Sequence, residues 1–262
     1  MKKLLSIVLA SILVMSILGA CSKREDTAKA TDSGSKKKVL VMGTSADYKP
    51  YEYIDSAKSD EIIGFDADIA KYIGKELGYD IQIKSSDFSG LLASMEAKKV
   101  DFVMAGMTPT EERKKNADFT DIYFAAKNLV ISKAGSYTDL NSLKGKKVGV
   151  QTGSIQEGKA KDLQKKVDFT IEGRDNVPQL FEELKIGRVD VIIVEDTVAK
   201  GYLKKFPELK TNNISEASDE AGSAIAFPKG SKLTSDFNGV LKKMKENGEM
   251  DKLIKKWFDS AQ

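Results

Sequence analysis

Four short stretches hold residue types able to grip a small molecule that carries both a positive and a negative charge. Residues 43–53, GTSADYKPYEY, set Tyr48, Tyr51 and Tyr53 around Pro50, the makings of an aromatic wall. Residues 105–113, AGMTPTEER, place Gly106 and Thr108 before the Pro109 turn into a helix, where backbone amides can face an anion. Arg113 follows about one turn later, and its planar fork suits a carboxylate. Residues 151–154, QTGS, again put a hydroxyl, Ser154, at the expected start of a helix. Glu195 and Asp196 end the most apolar segment of the chain and could receive an ammonium group. Each stretch also has a plainer reading. The tyrosines can form a surface loop, and Arg113 can be a solvated charge in EERKK. Ser154 can simply cap a helix, and the two acids can simply favour a helix start.

Composition narrows the chemistry. The 262 residues include no histidine and a single cysteine, so no Ser-His, Cys-His or His-metal site and no intrachain disulfide can form. No metal or cofactor site is expected. Lys plus Arg number 42 against 39 for Asp plus Glu, a near balance that speaks against nucleic-acid binding. No Gly-x-x-x-x-Gly-Lys-Ser/Thr loop occurs, so the chain has no P-loop ATPase of its own.

The elements that must position these stretches alternate in type. Strands are expected at Val39 to Met42, around Ile81 and Ile83, and at Phe102 to Met104. Helices are expected from Ile63 to Leu77 and around Leu91, Leu92 and Met95. The rhythm repeats with strands at Lys147 to Val150, Phe169 to Ile171 and Val189 to Val194. Helices at Ile155 to Lys166, Val177 to Ile186 and Thr197 to Leu203 alternate with them. The alternation predicts an α/β protein with mainly parallel sheets. Its two βαβ series predict two lobes, residues 39–128 plus 223–262 and residues 129–222, joined by two extended crossings. A cleft off the carboxyl ends of the strands lies between them. Leu253, Ile254, Trp257 and Phe258 form a helical stripe expected in the core of lobe one, with Met244 and Met250.

The N-terminus sets a compartment. Lys2 and Lys3 precede an apolar run to Leu18, the pattern of a secretory signal peptide over residues 1–20. Leu18-Gly19-Ala20-Cys21 resembles a bacterial lipobox, in which Cys21 takes a diacylglycerol and palmitate-type acyl chains. Loss of Lys2 and Lys3 lowers the formal charge from +3 to +1. Residues 22–38 contain no apolar side chain larger than alanine and read as a flexible tether with a reach of about 23 Å.

The order of six motifs, with a distinctive tail, resembles that of the bacterial extracellular solute-binding proteins of family 3, which serve polar amino-acid ABC transporters. The motifs are GTSADYKPYEY, IGFDADIAKYIGKELG, SSDFSGLL, GMTPTEERKK, KGKKVGVQTGSIQE and VEDTVA, and the tail is Gly248 to Phe258. The chain looks most like arginine-binding lipoproteins of Gram-positive bacteria. The resemblance implies a two-lobe periplasmic-binding-protein fold, a monomer lipid-anchored to the outer face of the cell membrane, and a permease with ATPase subunits as partner. It implies that Arg113 clamps a ligand α-carboxylate, supported by Gly106, Thr108 and Ser154. Asp196 would accept the α-ammonium, and Tyr48 and Phe88 would sandwich the side chain. Lysine/arginine/ornithine-binding members carry an aspartate where this chain has Ser45. Asp47, Glu52, Glu195 or Gln156 would have to compensate. The runner-up function is a dehydratase-type enzyme on the same fold, similar to cyclohexadienyl dehydratases, with Glu195 or Glu220 as the acid. A penicillin-binding enzyme is disfavoured because Ser-x-x-Lys occurs only in the tether, and a surface adhesin leaves no mark in the sequence.

Overall fold

The computed structural model describes residues 37–133, 137–218 and 220–259. The signal segment 1–20, Cys21 and the tether as far as residue 36 lie outside the described residues. Two sheets organise the chain. The first runs in the order Tyr79–Ser85, Lys38–Thr44, Phe102–Val103, Ala226–Pro228 and Ala117–Phe119. The second runs Thr170–Arg174, Lys147–Gln151, Val191–Glu195, Phe124–Ser132 and Lys210–Asn212, with Glu220–Ser223 pairing on Phe124–Ser132. This is the two-lobe α/β fold of periplasmic binding proteins.

Each sheet has a parallel half built from βαβ units and an antiparallel half. In the second sheet, Val191–Glu195 runs parallel to Lys147–Gln151 but antiparallel to Phe124–Ser132. The expectation of mainly parallel sheets therefore holds for only part of each. The departures arise where the chain passes between the sheets. The segment leaving the first sheet and the one returning to it lie side by side, from Phe124 opposite Ser223 to Lys127 opposite Glu220. These are the two crossings.

Sequence periodicity explains the core. Val191–Glu195 is the middle strand of its sheet, and all five residues are buried, as a strand covered on both faces requires. The helix Phe65–Leu77 turns Ile69, Ala70 and Ile73 inward and stops at Gly78 in the left-handed conformation. It starts two residues later than its periodicity suggests. Gly64 adopts φ of 140°, where a side chain would meet the Tyr51 carbonyl at 2.1 Å, and Ile62–Ile63 pairs instead with Glu52–Ile54. Beside the crossings, Phe124 and Phe258 stack at 4.3 Å while Phe65 meets Phe258 edge-on at 4.9 Å. Such aromatic pairs contribute about 0.5–1.5 kcal/mol each beyond their buried area. Met244, Met250, Leu253 and Phe258 are core residues as expected, whereas Trp257 is only partly buried and its indole N–H donates to Asp68 at 2.8 Å.

Candidate functional site

Loops at the carboxyl ends of strands from both sheets close around one small cavity. The strand Phe102–Val103 leads into Gly106 and Thr108, after which Thr110 caps the short helix Glu111–Asn116 by accepting from the Arg113 amide. That cap aims Arg113 back into the cavity. Its guanidinium donates to the Thr108 carbonyl at 2.7 Å and to the Gly153 carbonyl, on the other lobe, at 2.9 Å. It also lies 5.3 Å from the centre of the Phe88 ring. Desolvation lowers its pKa to about 10, so it remains a cation.

The opposite wall is acidic. Glu195 ends the middle strand of the second sheet and is 2% exposed. Desolvation raises its carboxyl to about 8, against the hydroxyls of Tyr51 and Tyr48, which favour the ionised form. One of its oxygens, Oε2, has no hydrogen-bond partner. Behind this wall sit two more buried carboxyls. Asp66, in the first turn of its helix, accepts from the Gly106 amide at 2.9 Å and from the Tyr123 hydroxyl at 2.8 Å. Burial still holds it up at about 6. Glu52 is pushed well above the usual carboxyl range by burial and then by Asp66, and neither of its oxygens has a hydrogen-bond partner.

The fold brings Tyr48, Phe88, Gly106 and Thr108 to the cavity from the first lobe, with Arg113. Ser154, Gln156 and Glu195 come from the second. Several of these side chains already have work. The Gly106 amide, expected to face an anion, belongs to Asp66. The Ser154 hydroxyl caps the helix Ile155–Gln164, accepting from the Glu157 amide and donating to the Gln151 carbonyl. Gln156 donates to Asn128 at 2.8 Å on a crossing strand. Two expected residues do not line the cavity. Ser45 donates its hydroxyl to Asp47 at 2.6 Å, and Asp196 accepts from the amides of Thr197 and Lys127.

Asp47 has a role that the sequence did not suggest. Its second oxygen accepts from the Val177 amide at 2.7 Å, across the lobes, at the start of the helix Val177–Lys185. Together with the Arg113–Gly153 bond and the close approach of Gly153 to Ser89, it clasps the lobes together. Only about 20 Å³ of room is left inside, little more than a water needs. A larger molecule enters only after the lobes part. Glu52 and Asp66 are also missed as a pair. The one available signal was an acid in the first helical turn, which ordinarily answers the helix dipole.

Residues 40–260 match the family model of bacterial extracellular solute-binding proteins, family 3. The arginine-binding extracellular protein ArtP of Bacillus subtilis (strain 168) is 46% identical over 260 residues, 98% of each chain. The structure of an ancestral arginine-binding protein bound to arginine superposes with a TM-score of 0.79 at 38% identity, covering 85% of this chain and 99% of that one. An ancestral amino-acid-binding protein described as a precursor of cyclohexadienyl dehydratase gives a TM-score of 0.76 at 34% identity, covering 84% and 95%. The chain belongs to family 3 of the bacterial extracellular solute-binding proteins.

Proposed function

We propose that this family 3 solute-binding protein captures an L-amino acid with a cationic side chain, arginine above all, and delivers it to an ABC permease. One observation carries the choice of ligand. A fixed guanidinium, Arg113, and a buried carboxyl with an unpartnered oxygen, Glu195, share one cavity between aromatic walls. A zwitterion buried there needs every charge paired, because an unpaired buried charge costs several kcal/mol. Arg113 takes the α-carboxylate, with Thr108 and Ser154 beside it. Asp196 takes the α-ammonium once the lobes part and close again around the ligand. Tyr48 and Phe88 stack on the side chain, and Glu195 takes the place of the acid missing at Ser45. The relatives named for arginine support the same choice.

Capture is a hinge motion between a lobe of residues 39–128 plus 223–262 and a lobe of residues 129–222. Hinge closure of this kind is the handled mode of periplasmic binding proteins generally. The ligand meets Tyr48, Phe88 and Arg113 first, and closure adds Ser154 and Glu195. The protein acts as a monomer outside the cytoplasm. Cleavage before Cys21 and lipidation of its thiol tether it to the membrane, where residues 22–38 let it reach its permease.

A thermal-shift scan of the twenty amino acids plus ornithine tests this reading. Ligand at one hundred times its Kd stabilises by about 2.7 kcal/mol, a shift of several degrees. Arginine and its cationic relatives are expected to give the shift. A shift confined to glutamine or cystine leaves a binding protein but removes the cationic reading. A second reading has one observation in its favour: Glu195, near 8, is protonated at neutral pH as a general acid must be. Incubation with prephenate or arogenate is expected to yield no aromatic product, and any turnover would establish the enzyme instead.

A further inference from the structure

A groove of about 470 Å³ lies outside the amino-acid cavity, within the size range of small-molecule sites. One wall is the helix Asp196–Lys205 of the second lobe, and the other is Lys49, Pro50, Trp257 and Phe258 of the first. Among the described residues four lysines line it, Lys49, Lys200, Lys204 and Lys205, and no acid does. Both walls are held rigid. Tyr202 stacks on Phe181 with ring centres 3.7 Å apart, and Trp257 is fixed by its bond to Asp68. The Lys200 ammonium reaches the Phe258 carbonyl at 3.3 Å and so stands where the two lobes meet. Cationic rims around apolar rings attract anions and give them an apolar floor.

We propose that this groove is a second ligand site, taking a small organic anion with an aromatic body, whose occupancy holds the lobes closed. The anionic group sits among the lysines, and the ring packs between Tyr202 and Trp257. Thr197 of the groove has its hydroxyl 3.4 Å from that of Tyr51, whose ring stacks at 5.4 Å on Tyr48 of the amino-acid cavity. Because the occupant touches both lobes, it favours the same closed arrangement as the amino acid, and each ligand tightens the other by the same factor. The site itself stands apart from the amino-acid reading, and only the coupling rests on it.

Trp257 is the sole tryptophan of the chain and lines the groove, so it reports occupancy directly. Anilinonaphthalene sulfonate, an aromatic anion that accepts energy from tryptophan, is titrated into the full protein with and without arginine. Saturable one-to-one binding with quenching of Trp257 is expected. Lys200→Gln combined with Lys204→Gln should weaken it about tenfold, the loss carried by one charge-assisted contact. Non-saturable binding, or equal affinity in the double variant, overturns the site. Saturating arginine should tighten the probe about fivefold or more. Unchanged affinity, in a protein that does bind arginine, overturns the closure. A protein that ignores arginine altogether would defeat the proposed function and leave the probe titration to judge the groove alone.

Discussion

The two ends of the amino-acid cavity respond to burial in opposite ways. Desolvation lowers the Arg113 guanidinium from its ordinary value to about 10, still far above neutrality. The same force raises Glu195 from 4.5 to about 8 and carries it past neutrality. At pH 7 the Arg113 end is therefore charged, while the Glu195 end is mainly a neutral acid. A guanidinium starts so high that burial cannot discharge it, whereas a carboxyl has little margin. On the proposed reading, one charge stands ready and the other forms only when a ligand cation draws the proton off Glu195.

The strongest way to break this comparison is to remove the preformed end. Arg113→Ala should weaken every amino-acid ligand by about a hundredfold, since all share the α-carboxylate and a buried charge pair is worth about 2–5 kcal/mol. Calorimetric titration measures it, and unchanged affinity ends the assignment. Glu195→Gln should act selectively. Arginine should lose about tenfold or more while neutral amino acids hold, and the ligand-free protein should become more stable. The sign follows from the raised carboxyl: its contribution is complete below about 4.5 and is lost as pH rises through about 8. At pH 7 that loss is about 3 kcal/mol. Melting temperatures of the ligand-free protein should thus fall between pH 5 and 8, less steeply in Glu195→Gln.

Proton release sharpens the comparison further. A bound guanidinium lowers the Glu195 pKa, so arginine prefers the ionised form. Its affinity should rise with pH up to about 8, by at most about tenfold per pH unit, and then level off. Titrations in buffers of different ionisation heat detect the released proton, and a flat profile would show that Glu195 does not meet the ligand. The smallest effect concerns closure. Gly153 has φ of 75°, and a Cβ there would come within 3.0 Å of Ser89 on the facing lobe. Gly153→Ala should speed ligand dissociation about fivefold with little change in association, as stopped-flow traces can show.

Much of the fold was legible because its signals are local. Ile69 and Ile73 mark a helix face, the run Val191 to Val194 marks a buried strand, and Ser154 marks a helix start. The gathering of Tyr48, Phe88, Arg113 and Glu195 followed from motifs in a familiar order. The antiparallel halves of the sheets were harder to read, since Phe124–Ser132 looks like any apolar strand and its partners lie far along the chain. Asp47 was one of several acids in a polar loop until the fold set it against the Val177 amide.

By itself the sequence determined the alternating elements, the ordered motifs and the absence of histidine chemistry. All of these depend on residue type and spacing along the chain. Only the tertiary structure decided that Glu195 and not its neighbour Asp196 lines the cavity in this arrangement of the lobes, because the backbone turns from strand to helix between them. It also decided which carboxyls burial pushes upward. Desolvation is summed over everything packed around a group, and at Glu52, Asp66 and Glu195 that surrounding comes from segments far apart in the chain.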